Sequence, residues 1–241
     1  MAMDLAINLN NIGVDRLMED RDDEAHFLFK GSLEAILWVS QHCEEDAFLQ
    51  NSDDLEMLKE NRFVDKAIQL ASKRSSTLRQ TGSNTANVTQ EHLYFHRGGL
   101  RINQAVTSQY QASVANNLVS PLVLYNLGVL EHRKYAKLPT NTSSLEKTMK
   151  FYNMALDLVY ECECECENLL AALLNNMCII FYEIGDRQQS REACDRIQEA
   201  LQSLSNHSTS CAITLLDPQH IEEIFLNVMM FNEPINAACA A

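Results

Sequence analysis

Residues 174–186 have the sequence LNNMCIIFYEIGD, and residues 187–204 continue as RQQSREACDRIQEALQSL. The apolar residues on both sides of the Gly185-Asp186 pair recur every three or four positions, which is the spacing of one face of an α-helix. A Gly-Asp pair between two such segments is typical of a tight turn. This stretch therefore predicts two amphipathic helices joined by a short connection.

The same pattern occurs twice more in the chain. Residues 9–13 (LNNIG) open a segment that runs to Ile36, and residues 124–128 (LYNLG) open one that runs to Val159. A helix pair that recurs is the sequence mark of a helical array. The chain of 241 residues contains 7 Gly and 4 Pro, too few for a sandwich with a turn every ten residues. The pattern predicts an all-α fold of antiparallel helix pairs.

The chain is interpreted as a single helical domain over residues 1–241. Helix pairs are expected at about 4–43, 120–160 and 168–204, and a final capping helix at about 217–231. Ser120-Pro121 predicts the start of the second pair. Ser143 or Ser144 is expected to cap the second helix of that pair. Residues 44–115 are expected to form an irregular insertion, and the polar composition of residues 72–90 predicts a flexible stretch within it. Gly98-Gly99 predicts a short hairpin or a local extended bend.

Particular residues of the helix pairs resemble the tetratricopeptide repeat. Gly13 is followed twelve residues later by Ala25, and then by Phe29 and Leu33. In that family these positions are two small residues, which let the helices approach closely, and two apolar residues beneath them.

The third pair repeats this spacing with Cys178 and Ser190. The middle pair departs from it, since Thr148 lies twenty residues after Gly128. The resemblance covers roughly 130 residues in three degenerate copies and implies a short right-handed superhelix.

Residues 9–13, 124–128 and 174–178 form the same five-residue pattern, and its third residue is an asparagine in each case. In family members that bind peptides this face lines a concave groove, where asparagine amides bond the backbone of an extended ligand. An asparagine offers both a donor and an acceptor to a peptide group. The resemblance thus implies a peptide site formed by Asn10, Asn11, Tyr125, Asn126, Asn175 and Asn176. The alternative is that these asparagines bond neighbouring helices or cap loops.

The net charge of −14 argues against nucleic acid and anionic lipid as partners. It favours a neutral or basic peptide, and the absence of Lys or Arg beside the asparagines argues against a clamp for a terminal carboxylate. No apolar run is long enough to span a membrane, and no secretory signal is evident. We expect reduced cysteines and a location in the cytoplasm or nucleus. A monomer is favoured over a homodimer, because the final helix offers an apolar face that can cap the array. The residues of this predicted face are Ile221, Ile224, Phe225, Val228 and Met229, and Glu222, Glu223 and Asn227 are predicted on the other side.

The remaining candidate sites are weaker. Cys162, Cys164 and Cys166 alternate with glutamates, whereas zinc sites normally use Cys-x₂₋₄-Cys spacing with a second pair elsewhere, so a helix connector is favoured over a metal site. His92 and His96 lie four apart, but Tyr94-Phe95 between them suggests extended backbone.

No catalytic motif is recognisable. The sequence therefore predicts a non-catalytic interaction module or scaffold without cofactors. The alternatives are a regulatory subunit acting through residues 44–115 and a cysteine-based metal or redox protein.

Overall fold

The computed structural model describes residues 2–42, 96–102, 112–161, 166–206 and 218–232. Within these ranges the chain forms helices α1 (Ala2–Met18), α2 (Asp22–His42), α3 (Ala112–Lys137), α4 (Thr142–Glu161), α5 (Glu167–Glu183), α6 (Arg187–Asn206) and α7 (Pro218–Asn232). The helices pack as the pairs α1–α2, α3–α4 and α5–α6, and each short connection makes its pair antiparallel. The predicted all-α fold of helix pairs is confirmed.

The described residues divide into two compact units. The first unit contains α1 to α4 together with residues 97–102, and the second contains His96 together with α5, α6 and α7. The predictions made for residues 44–95, including the flexible stretch 72–90, lie outside the described residues.

A turn of three residues joins α1 to α2 in the first unit. Asp20 has a φ of 57°, in the left-handed region where a residue can end a helix. Arg133 of α3 holds this turn, because its buried guanidinium donates from Nη1 to the Leu17 carbonyl oxygen over 2.6 Å. The same guanidinium pairs with Asp20 and lies 3.6 Å from Asp22. A buried arginine therefore fixes α3 against the α1–α2 turn.

Helix α3 begins at Ala112, so the predicted start at Ser120-Pro121 and the predicted end of the irregular insertion at residue 115 are both wrong. Pro121 lies inside the helix, where it removes one backbone hydrogen bond. All the side chains of residues 121–133 are buried. Burial on every side stabilises the helix enough to offset the cost of the proline. The predicted cap of α4 is also wrong, since the Asn141 side chain accepts from the Ser144 N–H over 3.3 Å.

The small residue of each first helix faces a residue of its partner helix at one equivalent position. A Cβ on Gly13 would lie 2.6 Å from Cε1 of Phe29, and a Cβ on Gly128 would lie 2.3 Å from Cε1 of Tyr152. In the third pair the Sγ atoms of Cys178 and Cys194 are 3.1 Å apart. The short side chains thus allow the close helix approach expected from their spacing.

In the second unit, a glycine and an aspartate lie in the connection between the end of α5 at Glu183 and the start of α6 at Arg187. Gly185 has a φ of 86°, a conformation that side chains with a Cβ rarely adopt. The Asp186 carboxylate then accepts from the Gln189 N–H over 3.1 Å, which caps α6. The predicted tight Gly-Asp turn is confirmed.

Helix α7 packs on α6 and α5 through a different face from the expected one. Ile224 and Val228 are buried as predicted. Asn227 is also buried, although the sequence pattern predicts it on the outer side. Phe225 and Met229 were expected to pack inward but are 50% and 55% exposed. The helix is apolar on both sides, so its hydrophobic pattern does not determine which side faces inward.

Candidate functional site

In the first unit, the asparagines of the five-residue patterns hold an extended segment of the same chain. Residues 97–102 have no helical structure, and a bend lies at Gly98, in agreement with the predicted local extended bend. Leu100 and Ile102 are buried, whereas Arg101 between them is exposed. Side chains that alternate between the two sides are typical of extended backbone.

Asn126 of α3 binds both backbone polar groups of Leu100. Its Oδ1 accepts from the Leu100 N–H over 2.8 Å, and its Nδ2 donates to the Leu100 carbonyl oxygen over 2.9 Å. In extended backbone the N–H and C=O of one residue point to the same side. A carboxamide, with one acceptor and two donors, therefore matches them as a neighbouring strand would.

Asn11 of α1 binds Ile102 in the same way. Its Oδ1 accepts from the Ile102 N–H over 2.9 Å, and its Nδ2 donates to the Ile102 carbonyl oxygen over 2.9 Å. Asn10 supports the site from beside it. Its Oδ1 accepts from Nδ2 of Asn126 over 2.8 Å, and its Nδ2 donates to the Leu100 carbonyl oxygen over 3.3 Å. The helices thus present two carboxamides to alternate residues of one extended segment.

In the second unit, Asn176 of α5 makes the corresponding pair of bonds with His96. The His96 N–H donates to Oδ1 over 2.9 Å, and Nδ2 donates to the His96 carbonyl oxygen over 3.2 Å. Asn175 accepts a hydrogen bond from Nδ2 of Asn227 on α7 over 2.8 Å. It lies against a neighbouring helix, which is the alternative role considered for the asparagines.

Tyr125 has no exposed surface and stacks on Tyr152, with ring centroids 6.0 Å apart. Successive residues on a helix point about 100° apart, so Tyr125 faces the α3–α4 core while Asn126 faces the extended segment. Of the six predicted residues, Asn11, Asn126 and Asn176 bind extended backbone and Asn10 supports one of them. Binding of a separate peptide stays a prediction.

The segment makes three further contacts that its sequence does not predict. A Cβ on Gly99 would lie 2.8 Å from Cγ2 of Val14 and 3.2 Å from Oδ1 of Asn126. Arg101 forms an exposed ion pair with Asp15 of α1. The alternation of Leu100, Arg101 and Ile102 after a glycine pair was the signal available in the sequence.

Two buried histidines lie near these segments. Burial, with a smaller contribution from His220, lowers the pKa of His96 to about 3, and the two rings meet edge to face at 4.8 Å between centroids. Burial, with a smaller contribution from Arg97, lowers the pKa of His132 to about 3. The His132 Nδ1 lies 3.3 Å from the Tyr152 hydroxyl. Both imidazoles are therefore neutral at pH 7.

These pKa values predict a loss of stability in acid. In the unfolded chain a histidine has a pKa near 6.5, so between about pH 6.5 and pH 3 the unfolded state binds more protons than the folded state. The free energy of unfolding should fall by about 1.4 kcal/mol per pH unit for each histidine as the pH is lowered through this window. Urea unfolding at pH 7, 6 and 5 measures this change, and the free energy of unfolding of His132→Gln should depend less steeply on pH than that of the parent chain. An unchanged slope would contradict the buried neutral state of His132.

The cysteine prediction falls only partly within the described residues. Cys162 and Cys164 lie outside them, and Cys166 is a buried thiol. Cys178 and Cys194 are also buried thiols, and Cys178 lies 3.2 Å from the Ser190 carbonyl oxygen. The hydrogen bond from Cys194 lowers the pKa of Cys178, while that bond and burial raise the pKa of Cys194. Among the described residues no group of three or more His, Cys, Asp or Glu is placed to hold a metal ion.

A cleft of about 630 Å³ lies between α6 and α7 of the second unit. Its apolar lining is Leu201, Ile221, Phe225 and Leu226, and its polar lining is Gln198, Gln202 and Glu222. Glu222 is the one ionisable side chain among these lining residues.

Comparison of the chain with protein-family models, with curated proteins and with solved structures finds no match. None of the helices within the described ranges is both long enough and apolar enough to cross a membrane.

Proposed function

We propose that the chain is a non-catalytic interaction module that binds an extended peptide segment through asparagine carboxamides. The observation that carries this proposal is the pairing of Asn126 with both backbone groups of Leu100, at 2.8 and 2.9 Å. Asn11 and Asn176 pair with Ile102 and His96 in the same manner. A carboxamide that satisfies the N–H and C=O of one residue can bind any extended chain, because it contacts backbone atoms alone.

The segment of residues 97–102 then acts as an internal ligand, and an external peptide must displace it. A tethered ligand has an effective concentration on the order of mM. The native chain should therefore bind an external peptide more weakly than a variant whose own segment has been expelled. The negative net charge favours a neutral or basic peptide, and the sequence predicts a location in the cytoplasm or nucleus.

A second function is favoured by the origin of the segment. Residues 97–102 belong to the insertion predicted from the sequence, so the same bonds also suit a scaffold whose asparagines anchor that insertion for a regulatory role. In that case the bonds at Asn11 and Asn126 are permanent. The two functions differ in whether these asparagines accept a peptide from a second molecule.

Selection of random dodecapeptides by phage display, on the full chain, separates the two functions. The target carries Leu100→Asp and Ile102→Asp, because two charges in buried positions should expel the segment. This chain is called the emptied variant. Peptides enriched on the emptied variant should be lost when Asn11→Ala and Asn126→Ala are added. They should be retained when exposed Asn153 of α4 is replaced by alanine. Circular dichroism confirms that each target is helical.

Enrichment that ignores Asn11 and Asn126 would contradict the proposed function. So would the absence of any enriched peptide on a folded target, which would favour permanent anchoring of the insertion.

A further inference from the structure

The side-chain contacts of residues 99–102 add sequence selectivity to the backbone contacts. We infer that the first unit selects extended peptides with the pattern glycine, apolar residue, basic residue, apolar residue, and that residues 99–102 are the internal copy of this ligand. The inference rests on the proposed function and specifies its ligand.

The glycine position follows from space. Gly99 does not have a positive φ, so its backbone conformation is open to other residues. However, a Cβ there would lie 2.8 Å from Cγ2 and 3.3 Å from Cγ1 of Val14, and 3.2 Å from Oδ1 of Asn126. The carboxamide that binds the backbone of the next residue therefore forms part of the wall that excludes a side chain. Larger residues must displace Val14 or weaken the bonds of Asn126.

The two apolar positions follow from burial. Leu100 is 5% exposed and Ile102 is 2% exposed, whereas the side chain between them is 47% exposed. Each buried side chain belongs to a residue whose N–H and C=O are both bonded by a carboxamide. The register is thus fixed, because a shift by one residue would bring the exposed side chain into a buried position.

The basic position follows from charge. Arg101 pairs with Asp15 of α1. An exposed pair stabilises little on its own, but a glutamate at this position would face the Asp15 carboxylate within an acidic protein. We therefore expect discrimination by charge rather than a large gain from the pair.

Binding of a separate peptide to the emptied variant tests this inference. The labelled peptide is acetyl-RGGLRIN-amide, which has the sequence of residues 97–103. Fluorescence anisotropy should show binding that is lost with Asn126→Ala. Replacing the glycine that corresponds to Gly99 by alanine should weaken binding by about tenfold. Replacing the arginine by glutamate should weaken it by about threefold at low salt. If the emptied variant does not fold, Leu100→Ser with Ile102→Ser serves in its place.

Matched changes in the receptor assign these effects to their contacts. Val14→Ala should restore the affinity of the alanine peptide, and Asp15→Lys should reverse the preference between the arginine and glutamate peptides. Equal affinity for glycine and alanine peptides, with binding still dependent on Asn126, would overturn the inferred pattern and leave the proposed function standing.

The same pattern is tested within the intact chain by urea unfolding. Gly99→Ala should lower the urea midpoint, and the addition of Val14→Ala should recover part of the loss. If Gly99→Ala has this effect but no peptide binds the emptied variant, both the proposed function and the inferred ligand are overturned. If Gly99→Ala has no effect on stability, the steric basis of the pattern is wrong.

Discussion

Replacing Asn126 by alanine is expected to lower the free energy of unfolding by about 3 kcal/mol. Asn126 has no exposed surface and makes three hydrogen bonds, two with Leu100 and one with Asn10. Alanine leaves the buried N–H of Leu100 and the buried Oδ1 of Asn10 without this partner. Each buried group that loses its bond costs about 1–3 kcal/mol. Urea unfolding followed by circular dichroism measures the change.

The control is Asn153→Ala on α4, which removes the same carboxamide from an exposed position. Such surface substitutions change stability by less than about 0.5 kcal/mol. Equal effects of the two substitutions would mean that Asn126 does not hold Leu100 in solution. Asn126→Asp is also informative, since a carboxylate can still accept from the Leu100 N–H but cannot donate to its carbonyl oxygen.

Replacing Gly128 by alanine should destabilise the chain by about 1–3 kcal/mol, although alanine is the better helix former. The new Cβ would lie 2.3 Å from Cε1 and 2.4 Å from Cδ1 of Tyr152. That ring is fully buried and stacked on Tyr125, so it cannot move away without disturbing the core. Thermal and urea unfolding should both show the loss.

Gly31→Ala in α2 is the matched control. A Cβ there would lie 3.4 Å from Cδ1 of Leu9, which is ordinary van der Waals contact. The gain in helix propensity should therefore stabilise the chain by roughly 0.5 kcal/mol. If Gly128→Ala were as favourable as Gly31→Ala, the close packing of α3 against α4 would be contradicted.

The asparagines that bind backbone were predictable because their position recurs. Asn11, Asn126 and Asn176 are each the third residue of a five-residue pattern, at residues 9–13, 124–128 and 174–178. Helices with equivalent packing present equivalent faces. Asn10, Tyr125 and Asn175 share the preceding position but have different contacts. Their side chains point about 100° away from the recurring face, so each contact depends on which residues the neighbouring helices place there.

The identity of the bound segment could not be predicted from periodicity. Leu100 is bonded by Asn126 and Asn10, and the latter lies 90 residues earlier in the chain. A segment held through its backbone needs no hydrophobic repeat of its own, and residues 97–102 have only a short alternation. The glycine requirement at Gly99 was also hidden, since it arises from Val14 and Asn126 rather than from local conformation.

The start of α3 was mispredicted because the prediction relied on a local signal. Ser120-Pro121 is a good helix start by its own chemistry, because proline lacks the N–H that a first turn leaves unpaired. In this chain the helix starts earlier, and burial of the residues around Pro121 stabilises it. Tertiary packing thus overrides the local signal.

Hydrogen exchange of the Leu100 and Ile102 amides, followed by NMR in the full chain, tests the central claim most directly. If Asn126 and Asn11 hold extended backbone through their carboxamides, both amides exchange far more slowly than in an unstructured peptide. Asn126→Ala should then accelerate exchange at Leu100 more than at Ile102, and Asn11→Ala should do the reverse. Exchange of both amides at the rate of an unstructured peptide in the native chain would contradict the account.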